Sequence, residues 1–324
     1  MKLLAMTLPA LLALALGPCC TAADYPDRPI RLVVGFPPGG GTDVVSRILS
    51  PKLSEDLGQQ IVIDNRPGAT GTVAAGIVAK SPPDGYVLMM GHVSTQAIAP
   101  SVYARLPYDP ARDFAAITLT ASVPHFIVVH PSLPVKSVKE LIALAKANPG
   151  KLTYPSAGSG STPHIAGEMF KTMTGVDLVH VPYKGSGQSL ADLLGGHHPV
   201  AFDTMPTVAP YIKANRLRAL AVTSAKRLAE YPALPTVVEA GVPGYVMTTW
   251  YGLFAPAGTP PAIVGKLHAV VNKALKSPDL HERMAGIGAD ESALTRSPEE
   301  FAALVRADIE RYARVVKLAG VHID

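Results

Sequence analysis

The chain is poor in cysteine, and the little it has falls at the start. Cys19 and Cys20 are the only two among 324 residues, and both lie in or beside a segment that reads as a removable leader. The remainder therefore excludes a disulfide framework, a thiolate metal site and a cysteine nucleophile. A membrane-spanning run is missing too. "LLAMTLPALLALALG" is apolar and uncharged, but at about 15 residues, with Pro9 inside it, it falls short of the roughly 20 that a span needs. Lys2 before it and "PCCTAAD" after it complete the pattern of a cleavable signal peptide over 1–23, cut after Ala22 or Ala23. Lipidation of Cys19 or Cys20 is the less favoured alternative, because Pro18 beside the cleaved bond makes a poor signal. An excess of one charge is also absent. Once Lys2 is removed, 28 basic residues face 25 acidic ones, a formal charge of +3. That balance is too mild and too dispersed to argue for nucleic acid. The ten histidines show no metal-ligand spacing. The adjacent His197 and His198 are expected to be exposed in a turn, and neither a metal nor a cofactor is expected.

What remains is a regular alternation of strand-like and helix-like segments. "IRLVVGF" (30–36) is a buried-strand run. Thr42 or Asp43 is placed to cap the following helix, and Pro51 should kink it. "QIVID" (60–64), "TVAAGIVAK" (72–80) and "YVLMMG" (86–91) complete a βαβαβ unit, the building block of a parallel sheet with helices on both faces. A second set runs from "FIVVH" (126–130) to "LRALAVTS" (217–224). "WYGLFAP" (250–256) and helices from about 261, 279 and 298 form a tail. The breaks near Val123-Pro124 and Thr248-Trp250 divide the chain into lobe 1, residues 24–123 plus 249–324, and lobe 2, residues 124–248. Two crossings between the lobes would make a two-strand hinge suited to closing on a ligand.

Two strand-to-helix turns are suited to anions. "GFPPGGGTD" (35–43) contains Phe36, Pro38, Gly39, Gly40, Gly41, Thr42 and Asp43. Its glycines let backbone approach a ligand at a helix start, where N–H groups are unpaired and partly positive. It nearly matches a nucleotide P-loop, but Gly41 stands where the lysine belongs, so a triphosphate is disfavoured. Val44 likewise breaks the dinucleotide fingerprint. "SAGSGSTPH" (156–164) supplies Ser156, Ala157, Gly158, Ser159, Gly160, Ser161 and His164 at the corresponding position. No serine there has the G-x-S-x-G elbow of a hydrolase. Ser94 in "GHVST", Tyr183 in "PYKGSG" and Asp203 at the end of "PVAFDT" lie at equivalent strand ends, where ligands of open sheets collect. Lys184 and Arg66 read better as a surface charge and as part of a structural turn.

Blocks from end to end, among them "YPDRPIRLVVGFPPGGGTD", "DNRPGATG", "SPPDGY", "GSGSTPHIAGEMF", "VHVPYKG", "LPTVVEAGVPGY" and "WYGLFAPAGTP", make the chain resemble the solute-binding proteins of tripartite tricarboxylate transporters, the Bug or TctC-like family. The resemblance implies an α/β, two-lobed periplasmic-binding-protein type II fold. Each lobe would be a mostly parallel sheet flanked by helices. It further implies a periplasmic, non-enzymatic, monomeric protein that captures a small organic carboxylate and hands it to membrane permease subunits. The turns at 35–43 and 156–164 become its two jaws, and Asp203 matches a strand-end acid of the family. Pro155 and "GHHPVAFDT" depart from the expected pattern, so the acid need not be citrate. A secreted hydrolase using Ser159 or Ser161 with His164, and a sensor presenting its closed form to a receptor, stand as alternatives.

Overall fold

A computed structural model describes residues 25–289 and 296–321. The expected signal peptide, with Cys19 and Cys20, lies outside them. The first βαβαβ unit comprises β1 (Ile30–Val34), α1 (Gly41–Leu57), β2 (Ile61–Asn65), α2 (Thr72–Ala79) and β3 (Val87–His92). Its strands pair in parallel in the order β2-β1-β3. Their β-branched and aliphatic residues meet side chains on both faces of the sheet, and Ile30, Leu32, Val33 and Val34 are all buried. Val45, Ile48, Leu49 and Leu53 of α1 face that sheet. Burying each such side chain contributes about 1.5–3 kcal/mol. That is enough to carry α1 as one 17-residue helix through Pro51, where one hydrogen bond is lost.

A wide helical turn over Ser94–Ile98 and the short α3 (Ala99–Val102) lead to β4 (Phe114–Val129), a 16-residue strand. The apolar run at 126–130 is only the far end of this longer element. After β4 come α4 (Val138–Ala147), β5 (Leu152–Ser156), α5 (Thr162–Thr174), β6 (Leu178–Pro182), α6 (Ser186–Leu194), β7 (Val200–Thr204), α7 (Met205–Lys213) and β8 (Arg218–Val222). β9 (Thr248–Pro256) then returns, followed by α8 (Pro261–Leu275), α9 (Pro278–Ala285) and α10 (Pro298–Ala319).

β4 changes partners part-way along. Phe114–Pro124 pairs with β9, whereas His125–Val129 pairs with β7 and β8. The antiparallel pairings among the described residues all involve β4 or β9; β5 and β6 form a separate parallel pair. The changeover falls at Pro124, whose missing N–H is tolerated where one ladder ends and the next begins. The tail folds back: α8 packs on α1 and β4, and α10 packs on β4 and α5. Phe301 presses on Gly252, and Trp250 Nε1 donates to Asp308 at 2.7 Å. The result is an α/β molecule of two lobes joined by β4 and β9. The ends of β1, β5 and β7 and the starts of their helices face one cleft.

Candidate functional site

The first jaw is the turn between β1 and α1. Gly40 is the N-cap, in extended conformation and with no side-chain cap. This corrects the expectation that Thr42 or Asp43 would cap; both lie inside the first helical turn. Asp43 reaches backwards instead. Its carboxylate accepts from the Gly39 N–H at 3.0 Å, from Asn65 Nδ2 at 3.0 Å and from Arg47 Nε at 2.8 Å. Burial raises the carboxyl, but the hydrogen bonds from Arg47, Gly39 and Asn65 together outweigh it and hold Asp43 below the usual carboxylate range. Asp43 and Gly39 are therefore occupied in bracing the turn from behind. The N–H groups of Gly41 and Thr42 have no intrahelical partner, and both residues line the cleft. Gly41 must be glycine, because a Cβ there would lie 2.3 Å from the Tyr251 hydroxyl.

The second jaw, between β5 and α5, is braced in the same manner by a different residue. The Gly160 N–H donates to His164 Nδ1 at 3.0 Å, again four residues ahead. His164 stacks on His180 with ring centres 3.8 Å apart. Burial, with the Lys171 charge adding, holds His164 down to about 4, so its ring is a neutral acceptor near pH 7. Ser156 Oγ bonds His180 Nε2 at 2.6 Å and takes the Gly158 N–H at 3.1 Å. Of the α5 amides, Thr162's is taken by Ser94 Oγ across the cleft at 3.1 Å, and Pro163 has none. Hydroxyls fill the gap. Ser161 Oγ and Thr162 Oγ1 are buried and have no hydrogen-bond partner among the described residues, an arrangement that calls for a bound acceptor or water.

Between the jaws lies a throat of about 20 Å³, room for little more than one small polar group. Gly40, Gly41 and Thr42 line it from one side, and Ala157, Ser161 and Thr162 from the other; Asp203, Thr204, Tyr251, His92 and Ser186 close it. No lysine or arginine among the described residues lines it. Asp203 Oδ1 accepts from the Thr204 N–H at 2.7 Å and from its hydroxyl at 3.4 Å. Burial pushes Asp203 up to about 6, against the pull of the Thr204 amide and the Ser186, Thr204 and Thr207 hydroxyls. His92 Nδ1 accepts from the Ser94 N–H at 3.0 Å, and burial, aided by His125, holds it neutral with a value near 3.

Outside the throat, sharing Phe36 and Ala157 with it, is a cavity of about 730 Å³. Its walls are largely apolar or backbone, from Pro37, Pro67–Gly71, Gly158 and Pro182, with polar side chains from Thr70, Tyr103, Ser159, Tyr183, Lys184 and Gln188. Two cross-cleft contacts hold the walls together. Thr70 Oγ1 donates to the Ser159 carbonyl at 2.7 Å, and Gly185 packs on Pro37 so closely that a Cβ would lie 2.6 Å from its Cδ.

The structure thus brings Phe36, Gly40, Gly41, Thr42, Ala157, Ser161 and Asp203 to the throat, and Gly158, Ser159 and Tyr183 to the outer cavity. Ser94 ties the end of β3 to the second jaw. Pro38, Gly39, Asp43, Ser156, Gly160 and His164 stand behind the jaws and shape them. Tyr183 lines the outer cavity, but its hydroxyl turns away to Asp192 and to His198. His198 corrects another expectation: it is buried, bonded also to Thr153 Oγ1 at 2.8 Å, while its neighbour His197 is exposed. Arg66 pairs with Asp64 at 2.9 Å, as a structural turn requires. His92, Tyr251, Thr162 and Ser186 in the throat, with Thr70 and Tyr103 outside it, were not singled out by sequence. Neither Ser159 nor Ser161 is hydrogen-bonded to His164, whose Nδ1 takes the Gly160 N–H, so neither Ser–His pair of the hydrolase alternative is hydrogen-bonded.

Two α/β lobes on a two-strand crossing, with helix starts converging on the cleft, define a periplasmic-binding-protein type II fold. Solved structures agree. A protein of R. palustris, Rpa4515, solved with adipate, superposes with a TM-score of 0.90 at 43% identity, covering 92% of this chain and 99% of that one. MatC of Rhodopseudomonas palustris, solved with bound malate, gives 0.85 at 34% identity over 90% of this chain and 100% of that one. Protein BugT of Bordetella pertussis is 37% identical over 94% of this chain and 93% of its own. The family model described as tripartite tricarboxylate transporter family receptor matches residues 45–321. The chain belongs to that family.

Proposed function

We propose that this chain is an exported receptor that captures a small organic carboxylate between its lobes and delivers it to a tripartite tricarboxylate transporter permease, without transforming it. The observation that carries the reading is the throat. Unpaired α1 amides oppose the unpaired Ser161 and Thr162 hydroxyls, in an enclosed space without a cationic side chain. Such donors hold a carboxylate head by neutral hydrogen bonds and helix-end polarity. The outer cavity takes the body of the acid, and Lys184 stands where a second negative charge would emerge. Relatives solved with adipate and malate support this substrate class.

Lobe 1 is taken as residues 24–123 with 249–324, and lobe 2 as 124–248. The partner switch of β4 at Pro124, opposite Thr248, supports that division. Membership of a receptor family supports periplasmic residence and a binding rather than catalytic role. The working form is taken as a monomer, with residues 1–23 as its signal peptide. The test is thermal denaturation of ligand-stripped mature protein against a panel containing succinate, adipate, malate, citrate and benzoate. A binding acid raises the melting temperature. A panel that shifts nothing overturns the reading, as would turnover of esters that disappears in Ser161→Ala.

A further inference from the structure

We infer that Asp203 serves as a proton-sharing partner for the bound acid, so that the throat captures a carboxylate together with one proton. This deepens the proposed function and rests on it. The throat places one buried carboxyl against the very donors that hold the ligand's head, in a space of about 20 Å³. Two full negative charges there would face no cation. Helix starts supply only partial charges, about half a unit each.

Every titratable group around Asp203 leaves this balance unchanged. His92 on β3 and His125, next to Asp203's strand on β4, are both buried and held neutral. Tyr251 on β9 keeps its proton, since burial pushes it well up. Asp43 on α1 is committed to Arg47, Asn65 and Gly39. No ion pair reaches Asp203 among the described residues. The Thr204 amide and hydroxyl both donate to Oδ1, with the Ser186 and Thr207 hydroxyls also turned to the carboxyl. A protonated Asp203 turns from a repelling anion into a donor, giving an O–H···O⁻ bond of the strong, charge-assisted kind. Burial already prepares it by raising Asp203 to about 6, and a bound carboxylate would raise it further.

The sign follows. Above about pH 6 the free protein has lost this proton and must take one up on binding, so affinity falls by about tenfold per pH unit. Titration calorimetry with adipate and with malate at about pH 7.5, in buffers of different ionisation enthalpy, should count close to one proton taken up. The dissociation constant should climb between about pH 6.5 and 8.5. Asp203→Asn keeps an acceptor for Thr204 and gains a fixed donor. It should bind somewhat more weakly at pH 6 yet show neither proton uptake nor the pH slope. A flat wild-type profile with no uptake overturns the proposal, as does an Asp203→Asn variant that keeps the slope. So does wild-type selectivity for amino acids over plain acids that Asp203→Asn abolishes, which would make Asp203 the counter-ion of an ammonium.

A second measurement needs no ligand. Asp203→Asn should stabilise the free protein more at pH 8 than at pH 4, because the ionised, buried carboxyl is the costly form. Absence of that difference also overturns the proposal. If neither adipate nor malate binds, the carboxylate-receptor reading is what suffers, and the free-protein measurement still decides the state of Asp203.

Discussion

The two jaws solve one problem with different chemistry. Each is a strand-to-helix turn in which a glycine N–H is captured by a side chain four residues ahead, Asp43 in one and His164 in the other. The first jaw, built from proline and glycine, presents backbone amides to the cleft. The second has Pro163 in its first helical turn and lends Thr162's amide to Ser94, so it presents hydroxyls. One side is fixed by the main chain, and the other can rotate its donors to suit the ligand. The pairing gives a rigid wall against an adaptable one, and the rigid wall is the one a single charge should ruin.

That expectation comes first in size. Gly40 has φ −80° and an open Cβ direction, with Pro37 O the nearest atom at 3.7 Å. Gly40→Asp should therefore fold with a melting temperature within about 3 °C of the parent. A carboxylate roughly 4 Å from the ligand's head repels it by about 4 kcal/mol at an effective dielectric of 20. Binding by calorimetry should weaken by more than a hundredfold. Near-normal affinity would mean that the first jaw does not meet the acid.

Next is the adaptable side. Ser161→Ala removes one neutral donor and should cost about 1 kcal/mol of binding, roughly fivefold in Kd. Should those hydroxyls be idle, the substitution would leave binding alone and stabilise the free protein, since it removes an unpaired buried group.

The braces separate by pH. His164 sits near 4 in the folded chain, below its ordinary value, so the unfolded chain takes up the proton first. Its contribution to stability is whole above about pH 6.5 and is lost as pH falls towards 4; at pH 5 the loss is about 2 kcal/mol. His125, buried and near 3, adds to the same slope. Asp43 is also held below its ordinary value, but for a carboxyl that shift favours the charged form, whose contribution is lost only at lower pH, so the first brace should survive this whole window. Melting curves from pH 7 to 5 should fall steeply in the parent and less steeply in His164→Asn. An unchanged slope would mean that the second brace does not depend on a neutral ring. Smallest of all, Ser94→Ala loses one hydrogen bond across the cleft and should weaken binding about twofold to fivefold.

Much of this was legible in the sequence because it is local. β-branched runs, glycine turns and helix periodicity placed the βαβαβ unit, and the two turns stood out by their own composition. What stayed hidden depends on topology. Tyr251 is an ordinary strand aromatic until β9 returns between β3 and β4 and carries its hydroxyl against Gly41. His92 occupies the stretch from which Ser94 was chosen, yet only the fold shows which of the two lines the throat. The His197–His198 pair looked solvent-facing because adjacent side chains diverge. They do diverge, and that is why one of them is buried against Tyr183 and Thr153. Capping failed for a related reason: Asp43 could have served its own helix, but Gly39, Arg47 and Asn65 all converge on it.

The two hydrogen bonds across the cleft, Ser94 with Thr162 and Thr70 with Ser159, also govern time. Parting the lobes breaks both bonds, so they slow the opening through which an acid would leave. Residence time is then set in part by hydroxyls at the edge of the cleft, and two receptors of equal affinity can differ in how long they hold their cargo.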